Sequence, residues 1–366
     1  MASNSFGKIF RISTFGESHG KAIGVMIDGC PAGLQLEEKE IHEALQKRAP
    51  GKNPYTTARK EADKPEILSG VFEGKTTGAP ICILIMNEDV DSSKYEPIKE
   101  VLRPGHANFT YLEKYGIFDY KGGGRASARE TACRVAAGAI AEKFLKNEGI
   151  CLHAYIKQIG GILATVELNK LENLKNLEDL IAKSPLFCPD VTATQEMCLF
   201  IEQLKNEGDS TGGVVEFLAT SVPNGLGSPV YEKLEAVLAF AMLSIPAAKG
   251  FEIGAGFDSV VMPGSCSNDL FTLNKGKIET ATNHAGGILG GISNGMPIIG
   301  RVAFKATSSI MKPQESVTID GKKTTFELPV GSRHDPCVAI RAVAVVKAMA
   351  ALVLADAILL NRSSKV

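Results

Sequence analysis

The stretch GGGRASARETACRVAAGAIAEKF, residues 122–144, joins a glycine-rich turn to an amphipathic helix. Ser127 and Glu130 have the S-x-x-E spacing of a capping box, in which each side chain accepts from the other residue's backbone N–H. The sequence therefore predicts a helix over 128–147, and Gly149 is a suitable C-terminal stop.

The start of this helix also suits an anion. Free backbone N–H groups and the positive end of the helix dipole lie there, and Arg125 and Arg129 add charge beside them. The alternative is a plain helix cap flanked by solvated arginines. The glycines favour anion binding slightly, because they let the backbone approach a ligand closely.

Strand-like runs and helices alternate along the rest of the chain. Short apolar runs bounded by Gly, Pro and Asn, such as APICILIM and IIGRVAF, predict strands. Further helices are predicted over 37–48, 232–244 and 336–361, and a peripheral helical segment over 165–210. Because no linker divides the chain and motifs occur at both ends, we expect one composite domain over 1–366.

The composition is that of a globular protein: 44% of the 366 residues are hydrophobic, 22% are charged and the formal charge is −1. No general basic field exists, so we expect no nucleic-acid partner. The eight cysteines never form a CxxC pair, which indicates neither a zinc ribbon nor a disulfide framework. We therefore expect no metal and a reducing, cytoplasmic location without a cleaved leader.

The most apolar stretch, 338–360, is the one candidate for a membrane span in the sequence. Arg341, Lys347 and Asp356 interrupt it, and each would cost about 2.5–3.5 kcal/mol at a bilayer centre. The stretch predicts a buried core helix, and we expect no membrane partner.

Two glycine-flanked loops each carry a histidine. FGESHG places His19 beside Ser18, and RPGHA places His106 three residues after Arg103. A loop histidine can transfer protons near neutral pH because its unperturbed pKa is about 6.5. For each motif alone an ordinary polar turn is the better interpretation, and finding two such loops shifts the balance modestly towards chemistry.

Three later segments are ambiguous by themselves. KATSSIMKP, 305–313, offers a cation and hydroxyls for phosphate or ribityl oxygens, but equally fits a polar strand end. NHAGGILGGISNG, 283–295, suits close backbone contact with a flat ligand or with another loop, and lacks the context of an NAD site. Asp335 before Pro336 predicts a helix N-cap, where Arg333 could join it in serving a ligand.

Together, GESHGKAIGVMIDGCPAG (16–33), GGGRASARETACRVAAG (122–138) and RHDPCVAIRAV (333–343) resemble the three signature regions of the chorismate synthase family. The order and spacing of these regions also match. PGHA around His106, SIPAAKGFEIGAGF (244–257), the paired glycines and the segment that starts at Lys305 resemble further family segments, so the likeness covers nearly the whole chain.

The resemblance implies an α+β fold in which antiparallel β-sheets enclose a helical core, assembled as a homotetramer. It implies a carbon–oxygen lyase that eliminates phosphate from 5-enolpyruvylshikimate 3-phosphate (EPSP) to give chorismate. The implied cofactor is reduced FMN, although the reaction has no net redox change. NADPH would act only indirectly as reductant, and a separate flavin reductase is a possible partner.

The resemblance also implies roles for individual residues. His19 would protonate the leaving phosphate and His106 the reduced flavin, while Asp335 would act as a base near the flavin N5, with Ser18 and Ser127 as proton relays. The substrate would be held by four arginines: Arg48, Arg103, Arg129 and Arg333. FMN would contact Arg125, Ala126, Ser127, Pro246, Ala247, Gly290, Lys305, Ala306, Thr307, Ser308, Ser309 and Arg333.

Two positions depart from the family pattern. Pro54 stands where many relatives have a second basic residue, for which Lys52 and Arg59 are the candidate substitutes. Lys347 stands where the third signature usually has glutamate. These departures concern the contacts of the substrate loop and the partner of the residue at position 347.

Two other functions fit parts of the sequence. A flavin reductase is one, since some relatives reduce FMN with NADPH, but the chain shows no extra domain for it. A non-catalytic flavin- or nucleotide-binding protein would explain the glycine and arginine loops, yet it leaves both histidines and Asp335 without a role.

Overall fold

Two five-stranded antiparallel sheets lie on either side of a set of packed helices. The structure is a computed structural model that describes residues 4–51, 53–57, 61–88, 91–166, 171–329, 331–332 and 334–365, with backbone only at 171–175. The arrangement confirms the predicted α+β class with a helical core between antiparallel sheets.

The strands of the described residues are, in chain order, β1 Ser5–Phe6, β2 Arg11–Gly16, β3 Ala22–Asp28, β4 Pro65–Ser69, β5 Val71–Phe72, β6 Lys75–Thr76, β7 Ile81–Met86, β8 Cys151–Ile159, β9 Ile162–Leu163, β10 Gly213–Thr220, β11 Ala248–Ile253, β12 Phe271–Asn274, β13 Lys277–Thr280, β14 Ile288–Leu289, β15 Ile292–Ser293, β16 Ile298–Phe304, β17 Gln314–Val317 and β18 Lys323–Phe326. The first sheet has the order β1-β2-β3-β7-β4 and the second β11-β16-β10-β8-β9.

The α-helices of the described residues are α1 Glu38–Arg48, α2 Asn108–Tyr115, α3 Thr131–Asn147, α4 Leu171–Lys183, α5 Val191–Asn206, α6 Leu234–Leu243, α7 Gly264–Ser267 and α8 Ala339–Asn361. Short 3₁₀ helices occupy Ser93–Ile98, Gly124–Ala126, Ala128–Glu130 and Gly256–Val261. The predicted helices over 37–48, 128–147 and 232–244 correspond to α1, α3 and α6, and the segment 165–210 forms α4 and α5. Gly149 follows α3 with a φ of 82°, as a C-terminal stop requires.

The core forms where α3 and α8 pack against each other and against one sheet each. Alternate residues of β7, namely Ile81, Ile83 and Ile85, are fully buried, which is the period of a strand with one face on the core. Gly138 of α3 lies against Ala348 of α8, and a Cβ added to Gly138 would stand 2.3 Å from that of Ala348. The two helices therefore approach too closely for any larger residue at this point.

Helix α8 is the buried core helix that the sequence predicts. By length and composition it could cross a membrane, but 83% of its most apolar 18-residue window is buried inside the protein. Its buried Asp356 accepts from the backbone N–H groups of Lys8, Ile9 and Phe10 at 2.9, 2.7 and 2.9 Å. These bonds satisfy the carboxylate and fix the chain before β2 to the core.

Lys347 has acquired its own acidic partners. Its ammonium lies 2.8 Å from Glu142 of α3 and 3.8 Å from Glu178 of α4. The positive charge of Lys347 on α8 is therefore compensated by carboxylates on two other helices, α3 and α4. Pro54 accepts through its carbonyl from Lys205 at 3.2 Å, and its proposed substitutes Lys52 and Arg59 lie outside the described residues.

The prediction that Asp335 caps the last helix was wrong. Helix α8 begins at Ala339 and Val338 occupies its N-cap position, three residues beyond Asp335. The carboxylate of Asp335 is instead bound by the backbone N–H of Thr57 and the guanidinium of Arg341, at 2.9 and 2.8 Å. These two donors draw the side chain away from the helix start.

Candidate active site

A cavity of about 1110 Å³ opens where the glycine-rich turn, the RPGHA loop, the start of β11 and the segments after β16 and before α8 meet. A volume of this order is large enough for two small ligands. The predicted site residues that line it are Arg48, Arg103, His106, Arg125, Ala126, Ser127, Arg129, Pro246, Ala247, Lys305, Ala306, Thr307, Ser308, Ser309 and Asp335. Segments distant in sequence therefore form one site.

Four predicted residues are not among those lining this cavity. His19 lines an adjoining cavity of about 80 Å³, which shares Tyr95 and His334 with the larger one. Ser18, the residue before His19, is buried, and its backbone N–H donates to the carbonyl of Gly124 at 3.4 Å. Gly290 lies in the turn between β14 and β15, and Arg333 lies outside the described residues.

His106 lies in the cavity wall next to positive charge. Its pKa is lowered to about 3, by burial first and then by Arg103, Lys305 and His334 in that order of effect. Its ring stands edge-on to Phe118, with 6.2 Å between ring centroids. The imidazole is therefore neutral at pH 7 before any anion binds.

His334 is a site residue to which the sequence assigned no role. Its pKa is lowered to about 4, by burial first and then by Arg103, while Asp335 acts in the opposite direction. It lines both the larger cavity, which His106 also lines, and the smaller one, which His19 lines. The RHDP motif contains it, but local sequence could not indicate which of its side chains faces a ligand.

Arg103 and Lys305, two cations predicted to bind ligands, both line the cavity. Arg103 donates to the Ser309 hydroxyl, and Lys305 donates to the carbonyl of Gly105 at 2.7 Å. Burial lowers the pKa of both cations, and the neighbouring Lys249 lowers that of Lys305 further. Within the described part of the chain, none of these three cations has an ion-pair partner at 4 Å or less.

Arg48 and Arg129 lie at the cavity wall with their guanidinium groups turned into the protein. Both bind the buried carboxylate of Asp63, Arg48 at 3.3 Å to Oδ2 and Arg129 to Oδ1. Arg48 also donates to Thr131 and Ala128, at 3.2 and 2.9 Å. Their direct contact with substrate stays a prediction, because the protein itself engages these donors in the ligand-free chain.

Ser127 caps a helical turn, although not through the predicted capping box. Its hydroxyl accepts from the N–H of Arg129 at 3.3 Å, at the start of the 3₁₀ turn that leads into α3. Its own N–H donates to Gly124, and the carboxylate of Glu130 pairs with Arg134 at 2.8 Å. Arg134 one turn later competes successfully for Glu130, so the reciprocal half of the box does not form.

Several buried polar atoms around the cavity lack a partner among the described residues: Arg103 Nε, His106 Nδ1, Thr307 Oγ1 and His334 Nε2. An unsatisfied buried donor or acceptor costs about 1–3 kcal/mol. Their concentration at one cavity indicates that a polar ligand completes this site.

The sequence and structure match known proteins over nearly their whole length. The family model described as chorismate synthase matches residues 10–359. The chorismate synthase of Protochlamydia amoebophila is 58% identical over 363 residues, covering 99% of each chain, and that of Methanosarcina mazei is 50% identical, covering 97% of this chain and 96% of the relative.

A solved structure agrees with these sequence matches. The protein titled "Crystal Structure of Chorismate Synthase" superposes with a TM-score of 0.78 at 34% identity, over 98% of this chain and 94% of that one. At such identities over full length, fold and family are shared. The chain belongs to the chorismate synthase family, whose members are lyases of aromatic amino-acid biosynthesis.

Proposed function

We propose that this protein makes chorismate by an FMN-dependent 1,4-elimination of phosphate from EPSP. The observation that carries the proposal is one cavity that combines cations without a described acidic partner, two histidines of lowered pKa and the carboxylate of Asp335. A phosphate-bearing polycarboxylate requires the cations, and a proton removed from its ring requires a base.

The cations and the unsatisfied atoms support the anionic half of this proposal. EPSP has one phosphate and two carboxylates, and FMN adds a second phosphate. Arg103 and Lys305 line the cavity without a described acidic partner, and Lys249 adds positive charge beside Lys305, so bound anions would compensate these charges. Arg103 Nε and Thr307 Oγ1 are unpartnered donors on the same wall.

Several residues of the cavity wall also support the proposal of a bound flavin. The turn of Gly124–Ala126 and Ser127 would hold it from one side, and the hydroxyls of 307–309 from the other. Ala247, held at a φ of 68° that non-glycine residues seldom adopt, lines the cavity between these two walls. Reduced FMN held there would supply electron density as phosphate leaves and would recover it when the ring hydrogen departs. The contact of Gly290 with FMN stays a prediction.

The proton-transfer groups are the chain's own contribution. The carboxylate of Asp335 is held by the N–H of Thr57 and the guanidinium of Arg341 at the cavity wall, where the proposal places a base. His106 is neutral before ligands bind, and anions opposite Arg103 and Lys305 would raise its pKa towards one suited to donating a proton. His19 acts from the adjoining cavity, where its Nδ1 lies 2.9 Å from the Ser92 hydroxyl.

We further propose a homotetramer in the cytoplasm, with the chain as one domain. Support for assembly is a segment of exposed large apolar side chains from the 3₁₀ helix Gly256–Val261 through the β12–β13 hairpin: Phe257, Val260, Val261, Leu270, Phe271, Leu273 and Ile278. Apolar surface concentrated in this way marks a protein interface more often than free surface. All eight cysteines are free thiols, which is consistent with a reducing compartment.

The proposal is tested by adding EPSP and FMN to the purified protein and measuring phosphate release and flavin absorbance together. Phosphate release that requires reduced FMN and leaves no net oxidised flavin supports the lyase. Flavin binding without phosphate release indicates the non-catalytic alternative. Consumption of NADPH without chorismate indicates a reductase.

Ser127→Ala is expected to lose stability and flavin affinity together. Loss of the N-cap hydrogen bond should lower the free energy of unfolding by about 0.5–2 kcal/mol. The substitution also removes the Ser127 hydroxyl from the cavity wall that would contact FMN. Calorimetry measures the first effect and FMN titration the second. Asp190→Ala, which removes the cap of α5 outside the cavity, is the matched control and should lose stability alone. Unchanged FMN affinity in Ser127→Ala would reduce the residue to a cap.

A further inference from the structure

Asn87 connects two parts of the site that are far apart in sequence. It directly follows β7, and its side chain lies between Arg129 and the turn that carries His19. Its Oδ1 accepts from Arg129 Nε at 2.9 Å. Its Nδ2 donates to the carbonyls of Glu17 and Gly20 at 3.0 and 2.8 Å. All of these bonds come from one amide group.

The Arg129 end of this connection is rigid. Arg129 is buried and its Nη1 binds Asp63, whose other oxygen binds Arg48. Asp63 is itself fixed in a left-handed conformation, with a φ of 47°, and its side chain is wholly buried. Buried charge pairs of this kind resist displacement because a separated partner would remain unpaired. Asn87 is thus attached to a fixed point.

The other end is the short turn at residues 17–20, which carries Ser18 and His19. The N–H of Gly20 donates to the carbonyl of Glu17 at 3.1 Å, which closes the turn around Ser18 and His19. Asn87 Nδ2 binds the carbonyl groups at both ends of that turn, and Asn87 N–H donates to Lys21 at 3.1 Å. Asn87 therefore holds the backbone of the turn, while the His19 ring on that turn contacts Ser92 and Tyr95.

We infer that Asn87 is a positioning residue, which fixes the His19 turn to the buried cluster of Arg129, Asp63 and Arg48. This inference rests on the proposed function for the catalytic role of His19, but its structural part does not. Asn87 takes no part in the chemistry. It sets the distance between the proton donor and the anion-binding wall, and a misplacement of about 1 Å there can cost 10²-fold in rate.

Asn87→Asp separates the two ends of the connection. The carboxylate keeps an acceptor for Arg129 Nε and nearly the same volume, so the core cluster should stay intact. It has no donor for Glu17 and Gly20, and it places negative charge against two carbonyl oxygens. Asn87→Ala removes both ends and serves as the second variant.

The expected result for Asn87→Asp is a fall in kcat of about 10²-fold, with the KM for EPSP and the FMN affinity changed much less. The peptide covering 16–21, measured without substrate, should lose its protection against hydrogen exchange.

Thr76→Ala is the matched control for this variant. The buried hydroxyl of Thr76 likewise holds a loop through two backbone groups, Leu34 N–H and the Pro31 carbonyl, outside the cavity. It should leave kcat near the wild-type value.

Two results for Asn87→Asp would overturn the inference. One is hydrogen exchange in residues 16–21 at the wild-type rate. The other is a kcat within about threefold of the wild-type value, since a fall of about 10²-fold is expected. An equal loss of kcat in Thr76→Ala also overturns it, because the effect would then be general destabilisation. A wild-type protein without turnover refutes the proposed function instead, and the exchange measurement still decides whether Asn87 holds the turn.

Discussion

His106→Ala is expected to lower the turnover of EPSP by about 10²–10⁴-fold, the usual contribution of a general acid or base. The ring is buried in the cavity wall with an unpartnered Nδ1, so it is placed for a ligand rather than for packing alone. Fold and FMN affinity should persist. Steady-state kinetics compare it with His153→Ala, a histidine that pairs with Glu178 outside the cavity. Near-normal turnover in His106→Ala would refute the role.

The lowered pKa of His106 gives a second readout that needs no substrate. Its folded-state value of about 3 lies below its ordinary value of 6.5, because burial and nearby cations disfavour the charged ring. As pH falls, the unfolded chain therefore binds a proton at His106 before the folded chain does. The contribution of the neutral ring to the free energy of unfolding is complete above about pH 6.5 and is lost as the pH falls towards about 3. His106→Ala should show a shallower loss of unfolding free energy between pH 7 and pH 5. An unchanged slope would contradict the assignment.

Asp335→Asn is expected to slow the flavin-linked deprotonation by orders of magnitude. Asparagine can still accept from Thr57, so the local backbone should hold, but it cannot take up a proton at neutral pH. The structure removes the alternative of a helix cap, since Val338 occupies that position. Stopped-flow spectra of reduced FMN with EPSP, recorded anaerobically, measure the decay of the transient flavin signal.

The control for this variant is Arg341→Gln. It breaks the same 2.8 Å ion pair and leaves the carboxylate in place. A base role predicts that Asp335→Asn decays far more slowly than Arg341→Gln. Equal rates in the two variants would show that only the ion pair matters, and decay at the wild-type rate in Asp335→Asn would place the base elsewhere.

The sequence predicted those parts of the fold that depend on local pattern. Helical periodicity located α1, α3, α6 and α8 to within a few residues, and interrupting charges identified α8 as a core helix. Neither capping prediction was right in full. Capping spacing is a local signal: Ser127 does cap a turn, but Arg134 pairs with the Glu130 carboxylate that would complete the box, and Arg341 pairs with the carboxylate of Asp335.

The arrangement of the site depended on contacts that no local pattern contains. Asp63 joins Arg48 and Arg129 across separations of 15 and 66 residues, and Asn87 joins Arg129 to Glu17. The motif matches indicated which segments meet, since most of their residues line one cavity. They could not show that Arg48 and Arg129, both expected to hold the substrate, direct their guanidinium groups into the protein. Only the packed sheets and helices bring these groups together.

The central claim is tested most directly by an anaerobic assay of chorismate formation with chemically reduced FMN and EPSP as the only substrates. Supplying reduced flavin separates the elimination from any source of reducing equivalents. The account predicts that chorismate and phosphate appear in equal amounts over many turnovers, that the flavin ends reduced, and that oxidised FMN alone gives neither product. Bound reduced FMN with no chorismate formed would contradict the account.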